Sequence, residues 1–463
     1  MSPETAGRWT IVVLLLAVQI FANVDRQVLN VVVEPVKAEF SLSDKVMGLL
    51  TGAAFSVFYA ILGVPLALLA DRANRRNLIA AAIAVWSAMT VFCGLATTAL
   101  QLILARIGVA VGEAGAGPAS QSIVSDLFAP KERAMPMAML AVGPNLGIMF
   151  GFIAGSMLAE AFGWRMAFLV VGVPGLLMAL IILAAMREPR RGYVDGFKDE
   201  PDDEEWVKFK TRMAEALTGT AMSILFDGQL FSRLRKIIVA IWDFGFGDLV
   251  RTIIKRRSLL WIIAGFSCAG MFGYGAIAWA TAFFHRSYGL SPGEIGPIIG
   301  ILVGVGGAVG TLAGGWLADR TGKRDVRWRL WIICITASIA APLSIAAFLA
   351  NNQWLTLALL TLPASLAIFH AGPSFALVQE LVPLRLRALA AAFLLFCLNV
   401  IGGGLGPFIV GLLSDLMAPS LGRESLRYAM MALTVPIVLS MLFYYLAARR
   451  LPRDLAEAHA AAA

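Results

Sequence analysis

The chain has 463 residues, of which 59% are hydrophobic and only 15% charged, and its mean hydropathy is +0.79. Soluble domains are about 45 to 50% apolar and about 25% charged, so this composition excludes an ordinary water-soluble globular protein. The net charge of +8 is spread over the gaps between apolar segments rather than gathered in one patch, so we expect no nucleic-acid partner.

Apolar runs of roughly 20 residues, the length a helix needs to cross about 30 Å of hydrocarbon, follow one another along the chain. The first run contains Asp25 and Arg26 and has no small-residue cleavage site after it, so we expect it to remain as helix 1 rather than be removed as a signal peptide. The twelve predicted helices begin near Trp9, Val46, Leu78, Leu100, Met135, Trp164, Leu259, Ile295, Trp328, Trp354, Leu386 and Tyr428. The sequence therefore predicts an all-α membrane protein with twelve transmembrane helices.

Two loops repeat each other at an offset of 248 residues: residues 71–76 (DRANRR) follow predicted helix 2, and residues 319–324 (DRTGKR) follow predicted helix 8. A second repeat, at an offset of 254 residues, pairs Asp126 and Arg133 with Glu380 and Arg387. Duplicated halves of six helices each have the same polarity, which is typical of parallel repeats with a ligand site near the bilayer midplane between them.

The repeat divides the chain into four predicted regions. They are a first six-helix half over residues 1–190, a linker over 191–257, a second six-helix half over 258–452 and a tail over 453–463. In the linker Phe231, Leu234 and Ile237 recur at helical spacing beside basic residues. This pattern predicts an amphipathic helix that lies on the membrane surface or packs against the bundle, and both alternatives remain open.

The basic residues also predict the topology. Of the 38 lysines and arginines, 30 lie in the N-terminus, the even-numbered loops and the C-terminus, and six lie in the odd-numbered loops. The positive-inside rule then places both termini and the linker in the cytoplasm of a multi-pass cell (inner) membrane protein. The four cysteines lie inside apolar runs without CxxC spacing, so we interpret them as packing residues and expect no metal site.

Two sets of motifs resemble known families. Residues 315–324 (GWLADRTGKR) resemble the loop signature of the major facilitator superfamily, although the first copy has Ala67 and Asn74 where the pattern prefers glycine. Within that superfamily the first half is similar to the Spinster transporters through residues 23–26 (NVDR), 106–118 (RIGVAVGEAGAGP) and 187–189 (REP).

The resemblance implies the major facilitator fold, alternating access, and transport of lysolipids such as sphingosine-1-phosphate or lysophospholipids, with proton coupling. It also implies that charged loop residues help to close the cytoplasmic side. The gating candidates on this basis are Asp71, Arg72, Arg75, Asp126, Arg133, Asp319, Arg320, Arg324, Glu380 and Arg387.

Four charged residues, Asp25, Arg26, Arg106 and Glu113, fall inside predicted helices 1 and 4. A charge at mid-bilayer costs at least about 2.5 to 3.5 kcal/mol, so these residues need partners or water. One interpretation is a static network that fixes helix 1 against helix 4. The other assigns proton coupling to Asp25 and Glu113 and contact with an anionic headgroup to Arg106 or Arg26, since a guanidinium binds phosphate bidentately. We favour Arg106 for the headgroup and Arg26 for internal pairing.

The second half is rich in aromatic residues and poor in polar ones, which suits the tail of an amphiphile. Its substrate-binding candidates are Thr281, Tyr274, Phe283, His370 and Asn399, and ordinary helix packing is the competing interpretation for each.

We therefore expect a monomeric, proton-coupled secondary transporter of lysolipid-like amphiphiles, with membrane lipids as partners and no cofactor other than the coupling protons. A proton-coupled exporter of drugs or small organic anions on the same fold is the first alternative. A non-transporting membrane receptor or scaffold is the alternative from another class. No nucleophile with a nearby base and no phosphate-binding loop can be recognised, so we do not expect an enzyme.

Overall fold

The computed structural model describes residues 3–70, 73–129, 132–189, 246–383 and 386–460. In these ranges nearly every residue is helical and no β-strand occurs.

The first half consists of nine α-helices and a π-helical segment (Leu49–Ala53) between the third and fourth. The helices are α1 (Pro3–Val31), α2 (Val33–Phe40), α3 (Asp44–Gly48), α4 (Ala54–Ala70), α5 (Arg75–Leu95), α6 (Ala99–Glu113), α7 (Ala116–Leu127), α8 (Ala134–Phe162) and α9 (Trp164–Ala185).

The described part of the linker contributes one helix, and the second half contributes nine more together with a π-helical segment (Leu398–Leu405). The helices are α10 (Gly247–Lys255), α11 (Arg257–Tyr288), α12 (Pro292–Gly322), α13 (Trp328–Leu349), α14 (Gln353–Leu366), α15 (Ala371–Glu380), α16 (Arg387–Cys397), α17 (Gly406–Leu421), α18 (Ser425–Ala432) and α19 (Thr434–Ala460).

Eleven segments of the described chain are long and apolar enough to cross a membrane. The last of these, Leu389–Ala458, runs for 70 residues and contains two crossings, one through α16 and α17 and one through α18 and α19. The described chain thus makes twelve crossings, and the predicted fold class is confirmed. Except for the first, each crossing begins within three residues of its predicted start.

The fourth crossing of each half is broken at the same place. In the first half α6 ends at Glu113 and α7 resumes at Ala116, and in the second half α14 ends at Leu366 and α15 resumes at Ala371. Interruptions of this kind are tolerated inside a bilayer where the freed backbone is buried in protein. Glu113 therefore lies at the break between α6 and α7, and His370 lies at the break between α14 and α15.

The two halves meet closely toward the end of the bundle opposite the chain termini, hereafter the opposite end. A Cβ on Gly296 of α12 would lie 2.3 Å from Ser156 of α8, and a Cβ on Gly48 of α3 would lie 2.5 Å from the carbonyl oxygen of Pro407. Such approaches are possible only for glycine. Deeper in the bundle the contact of α8 with α12 extends to Asn145, beside Gly307.

The linker and the tail are described in part. Residues 191–245, including the predicted amphipathic segment around Phe231, lie outside the described residues. In α10, Leu249 and Ile253 are buried in a hydrophobic cluster of the second half, so this part of the linker packs against the bundle. The last helix continues past the predicted boundary at 452 to Ala460, because Asp454 accepts a hydrogen bond of 2.8 Å from the backbone N–H of Ser258.

Candidate functional site

The four intramembrane charges come together inside the first half. Asp25 and Arg26 lie on α1, and Arg106 and Glu113 lie on α6. Asp25, Arg106 and Glu113 are 1%, 2% and 4% exposed, and Arg26 Nε donates a hydrogen bond of 2.5 Å to Glu113 Oε2. Glu113 is buried and Arg26 half-buried in this ion pair, which compensates two charges that would each be costly alone.

Aromatic rings cover the guanidinium of Arg26. Its carbon atom lies 4.5 Å from the ring centroid of Phe55 and 4.6 Å from that of Tyr59. Arg106 lies over the same Phe55 ring, at 5.4 Å. Cation–π contacts favour a cation that has left water, so α4 supports the positive side of the cluster.

Several polar atoms of the cluster remain without partners among the described residues. Asp25 Oδ2 accepts a hydrogen bond of 3.3 Å from Thr90, but Asp25 Oδ1, Glu113 Oε1 and Arg106 Nε are buried and unsatisfied. The guanidinium of Arg106 makes no hydrogen bond or ion pair with any described residue, although Asp25 and Glu113 lie within electrostatic range of it. Since an unsatisfied buried polar group costs about 1–3 kcal/mol, this arrangement is suited to bind water, a proton or an anionic group.

Tyr274 of α11 connects the cluster to the second half. It lies within electrostatic range of Arg26, and it stands 248 residues after Arg26, the equivalent position of the repeat. The second half thus contributes a phenol where the first contributes a guanidinium.

The second half contains an apolar cavity in the region equivalent to the charged cluster. It has a volume of about 90 Å³, and its walls are formed mainly by α11, α12 and α14. Residues lining it include Phe272, Gly273, Phe283, Ile299, Leu360 and Ala367. The space exceeds that of a single water molecule several-fold, and its apolar walls offer water no hydrogen-bond partners, so it suits hydrocarbon.

The other second-half candidates are placed as follows. Phe283 lines the apolar cavity and packs edge-on against Phe348, at 5.4 Å between ring centroids. His370 lines a smaller adjoining cavity and packs against Phe266. Thr281 is buried, and its hydroxyl has no hydrogen-bond partner in the described part of the chain, whereas Asn399 donates a hydrogen bond to the carbonyl of Leu395. Only Tyr274 among the five reaches the charged cluster, while Phe283 and His370 line apolar space.

At the termini end, Arg75 joins three elements of the first half. Arg75 is buried and pairs with Asp126 at the end of α7 and with Glu188 beyond α9, the latter at 2.7 Å. Its counterpart in the second half is the pair of Arg329 with Glu380, at 2.7 Å. The sequence analysis did not identify Arg329. In the sequence it is only a basic residue at the start of α13 with no predicted role.

The second repeated motif forms equivalent backbone contacts in both halves. Arg133 donates to the carbonyl of Ser125 at 2.6 Å, and Arg387 donates to the carbonyl of Gln379 at 3.0 Å, each eight residues earlier. These arginines satisfy the last carbonyls of α7 and α15, which have no partner inside the helix.

The remaining gating candidates make fewer contacts. Asp319, Arg320 and Arg324 are exposed at the end of α12, where Arg320 lies 5.6 Å from the ring centroid of Trp316. Asp71 and Arg72 lie outside the described residues.

A second ion network, which the sequence analysis did not identify, joins the halves at the opposite end. Arg286 of α11 forms a bidentate pair with Asp44, at 2.6 and 2.7 Å, and donates to Glu34 at 2.7 Å. Lys37 and Ser414 also donate to Asp44, at 2.5 and 2.6 Å. Besides Asp44 and Arg286 the network contains three groups, Glu34 and Lys37 of α2 and Ser414 of α17. It therefore closes the bundle at this end.

The helix α2 is anchored to the first half by Glu39. Its carboxylate accepts hydrogen bonds from Trp164 Nε1 at 2.7 Å and Arg165 Nη2 at 2.5 Å. These donors favour the ionised form and lower the pKa of Glu39 below its usual value. The helix that carries Glu34 and Lys37 is therefore fixed to α9 while it contacts the second half.

Comparison with known proteins agrees with this architecture. Residues 15–407 match the family model of the Major Facilitator Superfamily. The chain is 31% identical to an MFS-type efflux pump of Mycolicibacterium smegmatis, over 97% of this chain and 94% of the relative. It is 26% identical to the sphingosine-1-phosphate transporter SPNS2 of Danio rerio, over 92% and 81% of the two chains.

A solved structure also shows the similarity to Spinster proteins. The crystal structure of a bacterial homologue of the human lysosomal transporter Spinster, inward-facing and unoccupied, is 28% identical and superposes with a TM-score of 0.81 over 98% of this chain and 99% of that chain. The predicted resemblance to Spinster proteins is thereby confirmed. The chain belongs to the major facilitator superfamily of membrane transporters, with its relatives among the Spinster proteins.

Proposed function

We propose that the protein is a proton-coupled secondary transporter of lysolipid-like amphiphiles that carry an anionic headgroup. The observation that carries this proposal is the guanidinium of Arg106, which is buried, unpaired among the described residues, and adjacent to a pair of carboxylates. A phosphate group would satisfy its donors bidentately. The headgroup then binds in the first half, on the side of Arg106.

Proton coupling is assigned to Asp25 and Glu113. Both carboxylates are buried, each has one unsatisfied oxygen, and Glu113 shares its other oxygen with Arg26. Protonation of Glu113 would release Arg26 from its ion pair, and an arriving anionic headgroup would compete for the same guanidinium groups. Substrate and proton thus act on one set of charges, which is the requirement for coupling.

The tail of the amphiphile is assigned to the apolar cavity of the second half. Gly273 and Phe283 line this cavity on α11, the helix that also presents Tyr274 to the charged cluster. A molecule that lies across the midplane would therefore meet charge in one half and hydrocarbon in the other. Alternating access follows from rocking of the two halves about this site.

The contacts between the halves support an assignment of the conformational state. The network of Asp44 and Arg286 joins them at the opposite end. With the termini in the cytoplasm, as the positive-inside rule predicts, this end would face away from the cytoplasm, which supports an inward-facing state. Substrate would then enter or leave from the cytoplasmic side.

A proton-coupled exporter of drugs or small organic anions is the second candidate, and the M. smegmatis efflux pump is the observation that favours it. Both functions would use the charged cluster. Only the lysolipid transporter would need the apolar cavity, because only its substrate has a hydrocarbon tail. A non-transporting receptor or scaffold would move neither class of cargo.

Purified protein in liposomes separates these candidates. An imposed proton gradient is combined with labelled lysophosphatidic acid, a cationic dye or a short-chain organic phosphate as cargo. We expect gradient-dependent flux of the lysolipid and much weaker flux of the other two. Flux of the dye alone would establish the exporter, and no flux of any cargo would refute transport.

Variants then test the roles of the charges. Glu113→Gln should keep lysolipid binding but lose the response to the proton gradient, and Arg106→Gln should lose binding of the anionic lysolipid. Arg165→Gln, which removes an arginine that pairs with Glu39 outside the cluster, is the matched control. Full gradient response in Glu113→Gln would refute the coupling assignment without affecting the transport assignment.

A further inference from the structure

A groove runs along the membrane-facing surface of the first half, between α5 and α9. These helices pack tightly near the opposite end, where a Cβ on Gly94 would lie 2.7 Å from the carbonyl oxygen of Arg165, and at their middle, where a Cβ on Gly175 would lie 2.1 Å from Ser87 Oγ. Toward the termini end a groove of about 410 Å³ opens between them. Its lining includes Ala80, Ala81, Ala84, Ala179, Leu180 and Leu183.

The lining residues follow helical spacing on both helices, so the groove is straight and parallel to them. It extends from Asn77 to Ala84 on α5, a rise of about 10 Å at 1.5 Å per residue. Alanine side chains leave the space that larger residues would fill, while Leu180 and Leu183 form an exposed wall. A single hydrocarbon chain fits such a groove better than a bulky side chain from another helix.

The mouth of the groove at the termini end is basic. Arg76 adjoins Asn77, and its backbone N–H donates to Glu188 Oε2 at 2.8 Å, which places the exposed Arg187 at the same mouth. The two acids of this corner, Asp126 and Glu188, both pair with the buried Arg75. The guanidinium groups of Arg76 and Arg187 form no ion pair with a described acid. The three arginines of this corner, Arg75, Arg76 and Arg187, face two described carboxylates, so the described groups at the mouth leave a net positive charge.

We propose that this groove is a binding site for an anionic phospholipid of the leaflet at the termini end, separate from the transport cavity. One acyl chain lies along the alanines between α5 and α9, and the phosphate contacts Arg76, Arg187 and the side-chain amide of Asn77. Basic residues at the mouth of an apolar space between transmembrane helices are the arrangement that recognises anionic lipid headgroups. The lipid would join the first helical turn of α5 to the end of α9, next to the ion pairs of Arg75.

The experiment uses the delipidated full-length protein in detergent, with phosphatidylglycerol or phosphatidylcholine of identical acyl chains as the added lipid. Native mass spectrometry counts bound lipids. Each basic residue near the membrane surface contributes on the order of 1 kcal/mol to anionic lipid binding, so two arginines predict a preference for phosphatidylglycerol of about tenfold or more. Inorganic phosphate is added as a competitor that carries the headgroup charge without the chain.

Two kinds of variant separate the contributions of groove and mouth. Ala81→Trp fills the groove from its exposed side and should abolish the specific lipid adduct, whereas Leu177→Phe, on an exposed position of α9 outside the groove, should leave it unchanged. Arg76→Gln combined with Arg187→Gln should reduce the preference for phosphatidylglycerol to about one, with an Arg423→Gln control at the opposite end.

Three outcomes would overturn the proposal. One is equal binding of the two lipids by the unmodified protein, and the second is undiminished phosphatidylglycerol binding by Ala81→Trp with a monodisperse elution profile. The third is a loss of dimers in Ala81→Trp without loss of lipid, which would identify a second copy of the chain as the occupant. Full competition by inorganic phosphate would count against the acyl-chain contact as well.

Discussion

The charged cluster of the first half and the apolar cavity of the second half occupy equivalent positions in the two repeats. The pairs, at the repeat offsets of 248 and 254 residues, are Asp25 with Gly273, Arg106 with Leu360, and Glu113 with Ala367. All three first-half residues belong to the buried charge cluster, and all three second-half residues line the cavity.

This comparison shows that the repeat preserved the backbone frame while the side chains at one site diverged completely. Both halves keep the broken fourth crossing and the arginine that binds a carbonyl eight residues earlier. Where the first half has Asp25, Arg106 and Glu113, the second has glycine, leucine and alanine, and the phenol of Tyr274 stands at the position equivalent to Arg26. A site formed between them offers opposite chemistry on its two walls, and this asymmetry suits an amphiphile.

The largest effect should come from breaking the ion pair of the charged cluster. Arg26→Met leaves the Glu113 carboxylate buried without its partner, and such a change costs about 3–5 kcal/mol. We expect a large loss of thermal stability in detergent near neutral pH, measured by the fraction that survives heating on size-exclusion chromatography. The double variant Arg26→Met with Glu113→Gln should recover most of that stability without recovering proton-coupled transport. Failure of the double variant to recover would show that Arg26 stabilises the fold mainly by its stacking on Phe55 and Tyr59.

A slightly smaller effect should follow when the first-half charge is copied into the second half. Gly273→Asp introduces the equivalent of Asp25 into the apolar cavity, and an unpaired charge at this depth costs at least about 2.5–3.5 kcal/mol. We expect a lower melting temperature and a loss of lysolipid transport. Gly273→Ala is the matched control, because a Cβ at this position has no heavy atom within 4 Å. If Gly273→Asp were as stable as Gly273→Ala, the cavity would have to contain water, and its assignment to the tail would be wrong.

The sequence alone was sufficient for the fold and for part of the site. Apolar runs of membrane-spanning length predicted the twelve crossings, and isolated charges in helices 1 and 4 identified Asp25 and Glu113, because an intramembrane charge is conspicuous in any sequence. The loop repeat predicted a division of the chain into two halves. These signals are local in sequence, so no knowledge of helix rotation was needed to detect them.

The contacts between distant helices could not be derived in the same way. The partner of Glu113 depends on the rotation of α1 about its axis, which determines whether Arg26 or Asp25 faces α6. Asp44 and Arg286 lie at the ends of two apolar runs, 242 residues apart, where charges are common and no repeat distinguishes them. The cavity is defined by small and apolar residues at positions that appear as ordinary helix packing in a sequence.

A moderate effect is expected at the network between the halves. Arg286→Gln removes the charge-assisted hydrogen bonds to Asp44 and Glu34, each worth about 1.5–3 kcal/mol. These bonds stabilise the conformation in which the opposite end is closed, so their loss should shift the population away from it. We expect the opposite end to open more often. A cysteine at the buried Ser156, which faces Gly296 in the contact between the halves, should then react faster with a membrane-impermeant thiol reagent added on that side, in a background without the four native cysteines.

The control for this prediction is Arg165→Gln, which breaks an ion pair of similar length within the first half and should leave the reactivity of the cysteine unchanged. An equal increase in both variants would mean that α2 loosens as a whole. The network of Asp44 and Arg286 would then be a structural anchor rather than a closure between the halves.

The smallest effect should distinguish the two equivalent arginines that satisfy helix carbonyls. Arg387→Gln loses one hydrogen bond of 3.0 Å at an exposed position, and a bond of this kind contributes about 0.5–1.5 kcal/mol. Arg133→Gln loses at least the two bonds to the carbonyls of Phe128 and Ser125, from a half-buried position, so it should lower the melting temperature more. If both arginines serve only to satisfy the carbonyls, neither change should alter the ratio of lysolipid flux with and without a proton gradient. A change in that ratio for Arg133→Gln alone would instead assign the first-half copy to gating, and the asymmetry of the two halves would then extend from the site to the loops.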